Sequence, residues 1–293
     1  MFYRQKVLLA LLELHGGKLS NTVLEKSLFL FCQKPQQNHY DFFPYKYGPF
    51  SFMSYYDKRK LIDKDILKDR EHFELNTSIS YVDKLKTKDR VALRRFFMRT
   101  AEYSRQDLIR KTYLEYPEYT TKSEIAKDIL TQQEYSEVSS SWNLTKGTIL
   151  FTIGYEGSSI DQYLYRLLSS NVNILVDVRK NPFSRKHGFS QRQLQEYMAK
   201  VGIKYYHLPE LGISSKLRKN LNGIQSYENL FEYYASTILP EQKQDLDKIK
   251  ELLREHQRVA LTCFEAEHRR CHRHKITEVF ESEPNFNIHI RHI

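Results

Sequence analysis

The sequence predicts an α/β protein: a helix-rich α+β region first, then a mostly parallel sheet covered by helices. Three observations lead there. The chain has 293 residues, more than one average domain takes up, so two domains are the natural expectation. From Thr148 onward, short apolar runs alternate with segments of helical period. Between the two textures lies the Ser-rich stretch YSEVSSSWNLTKG, read as the boundary.

The N-terminal elements follow from spacing. Val7, Leu8, Leu11, Leu12 and Leu14 recur at helical intervals, and Gly16 and Gly17 end the run. In SNTVLEKSLFLFC, Thr22 and Glu25 have capping-box spacing, and Leu24, Leu28 and Phe31 form a stripe. YDFFPYKYGPFSFM places a proline on either side of a Tyr-Gly turn, fixing a chain reversal before a third helix from Ser51 to about Leu61. Three small helices and a hairpin describe a winged-helix domain over 1–75, a fold that often lays one helix in the major groove. A helical module for protein contact fits the same pattern.

Residues 76–147 read as a basic helical linker. Between 81 and 115, ten Lys and Arg face five acids, with Phe96, Phe97, Tyr103 and Tyr113 interleaved. A phosphate-tracking surface looks like this, and so does a solvated helix face.

Residues 148–293 carry the alternation. ILFTIG is a buried strand, SSIDQYLYRLLSS a helix in which Ser159 and Gln162 fit a capping box, and NILVDVR a second strand. A helix capped by Ser190 and Gln193 follows, then the strand IKYYHL, two more helices, the strand RVALTC, a helix from about Cys271 and the strand NIHIRHI. Strands alternating with helices imply a parallel sheet covered on both faces.

In open parallel sheets, ligands bind beyond the carboxyl ends of the strands. Each strand here ends in polar chemistry. The first leads into Tyr155 and Glu156, the second into Asp177, Arg179, Ser184, Arg185 and Phe189. The third leads into His207 and Glu210, the fourth into TCFEAEHRRCHRH with Cys263, Glu265, Cys271, His272 and Arg273. Charges such as Asp177 and Arg179 inside an apolar strand are half-buried groups that call for a purpose.

GYEG, LVDVR, NPFSRKHGFS, YYHLPELG and CFEAEHRRCHR, in this order, resemble the DUF488 family over roughly residues 148–280. The resemblance implies a compact Rossmann-like α/β domain. The first 75 residues in turn resemble the winged-helix domain that precedes many DUF488 proteins, and antitoxin-type domains with a K-x-LFLF segment and a YxYGPFS turn. A minority of such fusions look like DNA-acting defence proteins, including base-excising ones.

The residues at the strand ends admit several chemistries. Cys263, His268, Cys271, His272 and His274 supply thiolate and imidazole, but C-x7-C is not a standard zinc pair, so no metal and no other cofactor is expected. Cys271 at a helix N-terminus is placed as a stabilised thiolate; the preferred reading gives His272 and Arg273 the grip on a phosphate. Three acids in one pocket do not titrate alike, which suits general acid/base work and also suits a magnesium nuclease. Arg179, Arg185, His272 and Arg273 offer fixed cations, and Tyr155, Phe183, Phe189, Tyr206 and Phe264 flat faces, which together furnish a pocket for an extruded base.

The expected function is a DNA-acting glycosylase excising a base, possibly a modified one, and the resemblance to the fusions above implies a place in anti-phage defence. Glu156 or Asp177 orients water and Glu265 or His207 donates a proton. Tyr155, Arg179, Ser184, Arg185, Phe189, Glu210, Cys263, Cys271, His272 and Arg273 surround the substrate. A magnesium-dependent nuclease and a nucleotide-sensing DNA-binding regulator are the alternatives.

Composition sets the outer limits. A formal charge of +10 with 21 tyrosines and 17 phenylalanines is compatible with double-stranded DNA as partner, and with an ordinary basic soluble protein. Three cysteines, Cys32, Cys263 and Cys271, argue for a reducing compartment, the cytoplasm, over a disulfide framework. The start, MFYRQKVLLALLELHGG, superficially imitates a signal peptide, but Glu13 cuts its apolar run and no small-residue cleavage site follows. No apolar stretch reaches the roughly 20 residues of a membrane helix, so no membrane partner is expected.

Overall fold

The computed structural model describes residues 1–142, 147–218, 224–284 and 286–293. The chain divides into two compact units, Met1–Asn143 and Leu144–Ile293.

In the first unit, α1 (Tyr3–Leu14) buries every residue from Val7 to Leu12, so it runs through the interior. After β1 (Lys18–Leu19), α2 (Asn21–Cys32) is capped by Ser20, whose hydroxyl accepts the Val23 N–H at 3.4 Å. The box expected at Thr22 and Glu25 is replaced by a single cap two residues earlier, with Val23 at the position a box would need for Glu or Gln. Glu25 turns inward instead and accepts the Ser51 N–H at 3.2 Å and the Ser54 hydroxyl. The Tyr-Gly turn forms a hairpin of β2 (Phe43–Tyr45) and β3 (Gly48–Phe50), with Pro44 opposite Pro49. Gly48 has φ +87°, and a Cβ there would stand 2.5 Å from Cε1 of Tyr113, so only glycine fits both the turn and the packing. Ser51 caps α3 (Phe52–Ile62), and β4 (Phe73–Glu74) pairs antiparallel with β1.

The basic segment does not stand apart as a linker. In α4 (Thr87–Thr100), Asp89, Leu93, Phe96 and Thr100 share one buried face. Leu93, Phe96 and, from α5 (Arg105–Glu115), Leu108 join the same core as α1 and α2. Asp89 accepts the Tyr3 hydroxyl at 2.5 Å. Arg94, Arg95 and Arg99 lie exposed on the other side of α4. The short α6 (Ala126–Ile129) and α7 (Gln132–Ser140) close a smaller cluster around Ile109 and Tyr113.

The second unit is the α/β domain. In chain order it holds β5 (Ile149–Gly154), α8 (Ile160–Ser169), β6 (Ile174–Asp177), α9 (Gln191–Lys200), β7 (Lys204–His207) and α10 (Ile224–Tyr233). Then come α11 (Lys243–His256), β8 (Arg258–Cys263), α12 (Arg273–Ser282) and β9 (His289–His292). The five strands form one sheet in the order β7-β6-β8-β5-β9, every neighbouring pair parallel. All residues of β5, β6 and β8 are buried, as strands covered on both faces require. Ser159 caps α8 as expected, accepting the Gln162 N–H at 3.0 Å. Ser190 sits at the cap position of α9, but its hydroxyl donates to the Ser184 carbonyl at 2.7 Å and accepts the Ser184 N–H, closing the NPFSRKHGFS loop on itself.

This strand order creates one switch point. The central neighbours β6 and β8 send the chain in opposite directions, β6 toward β7 and β8 past β5 toward β9. Their onward loops part company above the sheet, and the place between their carboxyl ends is where open parallel sheets form a ligand crevice.

Candidate functional site

Two residues past the carboxyl end of β6, Arg179 folds back on Asp177. Nε donates to Oδ1 at 2.8 Å and Nη2 to Oδ2 at 2.5 Å; the Arg179 main-chain N–H adds 3.1 Å and the Tyr205 hydroxyl 2.7 Å. Asp177 is fully buried and Arg179 nearly so. A buried carboxylate with four donors is a fixed counter-charge, occupied with holding a guanidinium in place. Nη1 of Arg179 donates to the Tyr155 hydroxyl and to the Phe189 carbonyl, both at 2.9 Å. The Asp177 carboxylate raises the Arg179 pKa against the opposing effect of burial.

His207, at the end of β7, faces the same loop. Its Nε2 lies 2.9 Å from the Arg179 carbonyl, which only accepts, so Nε2 carries the hydrogen; Nδ1 receives Gln191 at 3.3 Å. Nε2 thus holds the main chain of Arg179, and Nδ1 accepts from the Gln191 side chain at the start of α9.

The opposite wall of the crevice is built from the end of β8 and the start of α12. Cys263 and Cys271 are buried, and His272 between them and β6 is fully so. Nε2 of His272 lies 3.0 Å from the Val178 carbonyl and must donate to it, which turns Nδ1 toward the two sulfurs, 3.8 Å from Cys263 Sγ and 3.7 Å from Cys271 Sγ. Arg273 Nε donates to Cys271 Sγ at 3.3 Å, and its Nη2 to the Glu265 carbonyl at 2.5 Å. Burial pushes the Cys271 thiol up, but Cys263, His272 and Arg273 outweigh it and hold the group well below the usual thiol range. Cys263 moves the other way, raised by burial, by Cys271 and by Glu265.

Glu265 is half-buried beside them. Cys263 Sγ donates to its Oε2 at 3.2 Å and Arg218 Nη1 to its Oε1 at 2.9 Å. Burial, then the charge of Cys271, raises its proton affinity, with Arg218 opposing.

The rim divides into parts that face inward and parts that face solvent. Tyr155 and Phe189 stack face to face with centroids 4.3 Å apart, and both are buried, so these two rings belong to the core. Phe183 is 72% exposed and Phe264 44%, each on a loop at the carboxyl edge. Glu156 is exposed, and its Oε2 accepts the Ala266 N–H at 3.1 Å, which places it against the loop that carries Glu265. Arg185, Arg269 and Arg270 are exposed on the same loops. Ser184 holds the loop after β6 through Lys186 and Ser190, and Glu210 pairs with Lys180 at 2.7 Å on the surface.

Two seams fix the depth of the crevice. A Cβ on Gly154 would stand 1.8 Å from the Glu265 carbonyl oxygen, so the loop after β8 lies directly on the end of β5. A Cβ on Gly212 would stand 2.1 Å from the Lys180 nitrogen, so the segment after β7 lies on the loop after β6.

The fold therefore brings Arg179, Cys263, Glu265, Cys271 and His272 to the switch point, with Tyr155 and Phe189 packed beneath Arg179. Asp177 and His207, expected to do chemistry, are turned to holding Arg179. His272 and Arg273, expected to grip phosphate, direct their polar atoms toward sulfur and main chain. Arg218 and Tyr205 were not foreseen. Arg218 lies in SSKLRKN, a stretch without a motif, whereas Tyr205 stands opposite Leu175 in the β6–β7 register and reaches Asp177 only diagonally, through its hydroxyl.

Residues 159–280 match the model of a family described as Domain of unknown function DUF488. The matched segment holds β6, β7, β8 and most of α12, hence both walls of the crevice; β5, β9 and the whole first unit lie outside it. No curated protein and no solved structure matches the chain. Among the described residues, no helix is long and apolar enough to cross a membrane.

Proposed function

We propose that the chain is a DNA-acting hydrolase that releases a base by cleaving its N-glycosidic bond at the β6/β8 crevice. The first unit, read as a winged helix, engages the duplex. The observation that carries this reading is the pairing of an exposed ring, Phe264, with a half-buried carboxyl on the very next residue, Glu265. A flipped base needs a flat apolar face and a group able to exchange a proton within reach of it.

In the proposed reaction the oxygen of water bonds to the sugar C1′ while the bond from C1′ to the base nitrogen breaks, its electron pair leaving with the base. Protonated Glu265 delivers its proton to the departing base nitrogen. Glu156, exposed on the adjoining loop, orients the water and accepts the proton the water loses, and the two carboxyls return to their starting states by exchange with solvent. Arg185, Arg269 and Arg270 offer the phosphates neighbouring charges, and Arg94, Arg95 and Arg99 give α4 of the first unit a basic face.

The test is a single-turnover incubation of the full chain with duplexes carrying ordinary and modified bases, followed by alkali to break any abasic site. Release is expected on at least one substrate and should fall on the order of 10²- to 10⁴-fold in Glu265→Gln. Magnesium-dependent cutting without alkali would replace this reading with a nuclease. Nucleotide-dependent operator binding without turnover would replace it with a regulator.

A further inference from the structure

We infer that Cys263, Cys271 and His272 form a binding site for one zinc-class divalent metal ion. The two sulfurs and Nδ1 of His272 all lie within 4.8 Å of one another, and all three residues are buried. Around a tetrahedral zinc, with bonds of about 2.3 Å to sulfur and about 2.0–2.1 Å to nitrogen, a sulfur and a nitrogen stand roughly 3.5 Å apart. The observed 3.8 and 3.7 Å need only a few tenths of an ångström of closure.

The surroundings match the same reading. A metal-bound histidine presents one nitrogen to the ion and ties the other to a fixed acceptor, which sets its tautomer. His272 does this by donating from Nε2 to the Val178 carbonyl at 3.0 Å, leaving the Nδ1 lone pair toward the sulfurs. Arg273 donates an N–H to Cys271 Sγ at 3.3 Å, as groups surrounding a metal centre do to its thiolate ligands. Two thiolates and an imidazole in one buried cluster select zinc over the hard, oxygen-seeking cations. The C-x7-C spacing hides the site, because Cys263 ends β8 and the chain must turn through Glu265 and His268 before Cys271 returns to it. Arg218 Nη2 lies 3.4 Å from Nδ1 and would move off as the ion enters, while its Nη1 stays with Glu265. Coordination also displaces the Cys263 thiol proton to solvent; no electrons are transferred.

Three protein ligands leave a fourth tetrahedral position for water or substrate, as in catalytic zinc sites. Glu265 reaches the sulfur of Cys263 at 3.2 Å but is not one of the three clustered ligand residues. The use of this fourth position for hydrolysis rests on the proposed function; the metal site itself does not.

The test is a titration of the full chain, reduced and stripped of metal by chelation, with cobalt(II) and then zinc under exclusion of oxygen. One equivalent of cobalt should bind with an intense near-ultraviolet sulfur-to-metal band and tetrahedral visible bands, and zinc should abolish both. The band should lose roughly half its intensity in Cys271→Ser, which leaves one thiolate, weaken in His272→Ala and persist unchanged in Cys32→Ser. No sulfur-to-cobalt band in the folded, reduced wild-type chain overturns the site without reference to any variant. A band that survives both Cys271→Ser and His272→Ala undiminished overturns it as well. Cobalt binding without base release on any duplex leaves the metal site standing and removes the hydrolase. Base release by a chain that binds no metal does the reverse.

Discussion

Replacing Arg179 by Met isolates the physical role of the Asp177–Arg179 pair. The substitution keeps most of the side-chain volume but leaves Asp177, which is fully buried, with only the Tyr205 hydroxyl and one main-chain N–H as donors. Breaking a buried pair by removing one partner costs about 3–5 kcal/mol, because the remaining charge has lost its compensation. For a unit of about 150 residues, each kcal/mol lowers the melting temperature by about 2–4 °C, so the C-terminal transition should fall by about 6–20 °C. Differential scanning calorimetry of the full chain reads this directly, with the transition of the first unit as internal reference. The double variant Asp177→Leu/Arg179→Met should recover part of the loss, since two apolar groups replace both charges; the Tyr205 hydroxyl, left without its acceptor, and the Phe189 carbonyl, left without the Arg179 donor, each keep about 1–3 kcal/mol from returning. A single variant melting within about 1 kcal/mol of wild type, or a double variant as unstable as the sum of its singles, refutes the assignment of Asp177 to a structural counter-charge.

Gly154→Ala drives a methyl group into the Glu265 carbonyl, 1.8 Å away, and should cost about 1–3 kcal/mol or more in urea unfolding while displacing Glu265 enough to abolish turnover. Exchanging Arg94, Arg95 and Arg99 together for Ala should leave the fold intact and flatten the slope of log K against log salt for duplex binding by up to about 2.7, if each neutralises one phosphate; an unchanged slope removes α4 from the interface. Burial holds the amino group of Lys26 down at about 7, with Glu25 offsetting part of the effect. The unfolded chain keeps that proton up to about 10.4, so across the window from about 7 upward it binds more protons than the folded one. Stability of the first unit should accordingly rise with pH there and level off below. Denaturant unfolding of Lys26→Met against wild type, from pH 7 to 9.5, should show the dependence reduced in the variant.

The sheet was legible because ILFTIG, NILVDVR and RVALTC are apolar runs of strand length, each closed by charge or sulfur, with helical periods between them. The edge that gathers the polar residues followed from the parallel sheet alone. Beyond that point, position in the chain stops predicting position in space. Nothing in the spacing of Asp177 and Arg179 announces that the arginine curls back two residues, because the turn depends on Tyr205, Tyr155 and Phe189, which arrive from three other segments. The approach of Cys271 to Cys263 depends on how far the loop after β8 is pressed onto Gly154. In the first unit the apolar residues at 93, 96 and 108 had helical spacing, but ten surrounding cations made the segment look solvated. Net charge describes the outer face of a helix and is silent about the inner one. Glu25 similarly looked like a capping residue by spacing, yet its buried partners Ser51 and Ser54 lie a hairpin away.

The seams at Gly154 and Gly212 restrict how this architecture can diversify. Where two stretches of main chain lie against each other with no room for a single methyl group, lengthening or lifting either one breaks the seat of the other, so insertions at the floor of the crevice carry a heavy penalty. The two exposed rings differ in this respect: Phe264 packs edge-on against Tyr155 and its carbonyl accepts the Tyr155 and Glu156 N–H groups beside the Gly154 seam, whereas Phe183 is 72% exposed. Variants selected for a different target should therefore collect exchanges at position 183 first, while the backbone under it stays as it is.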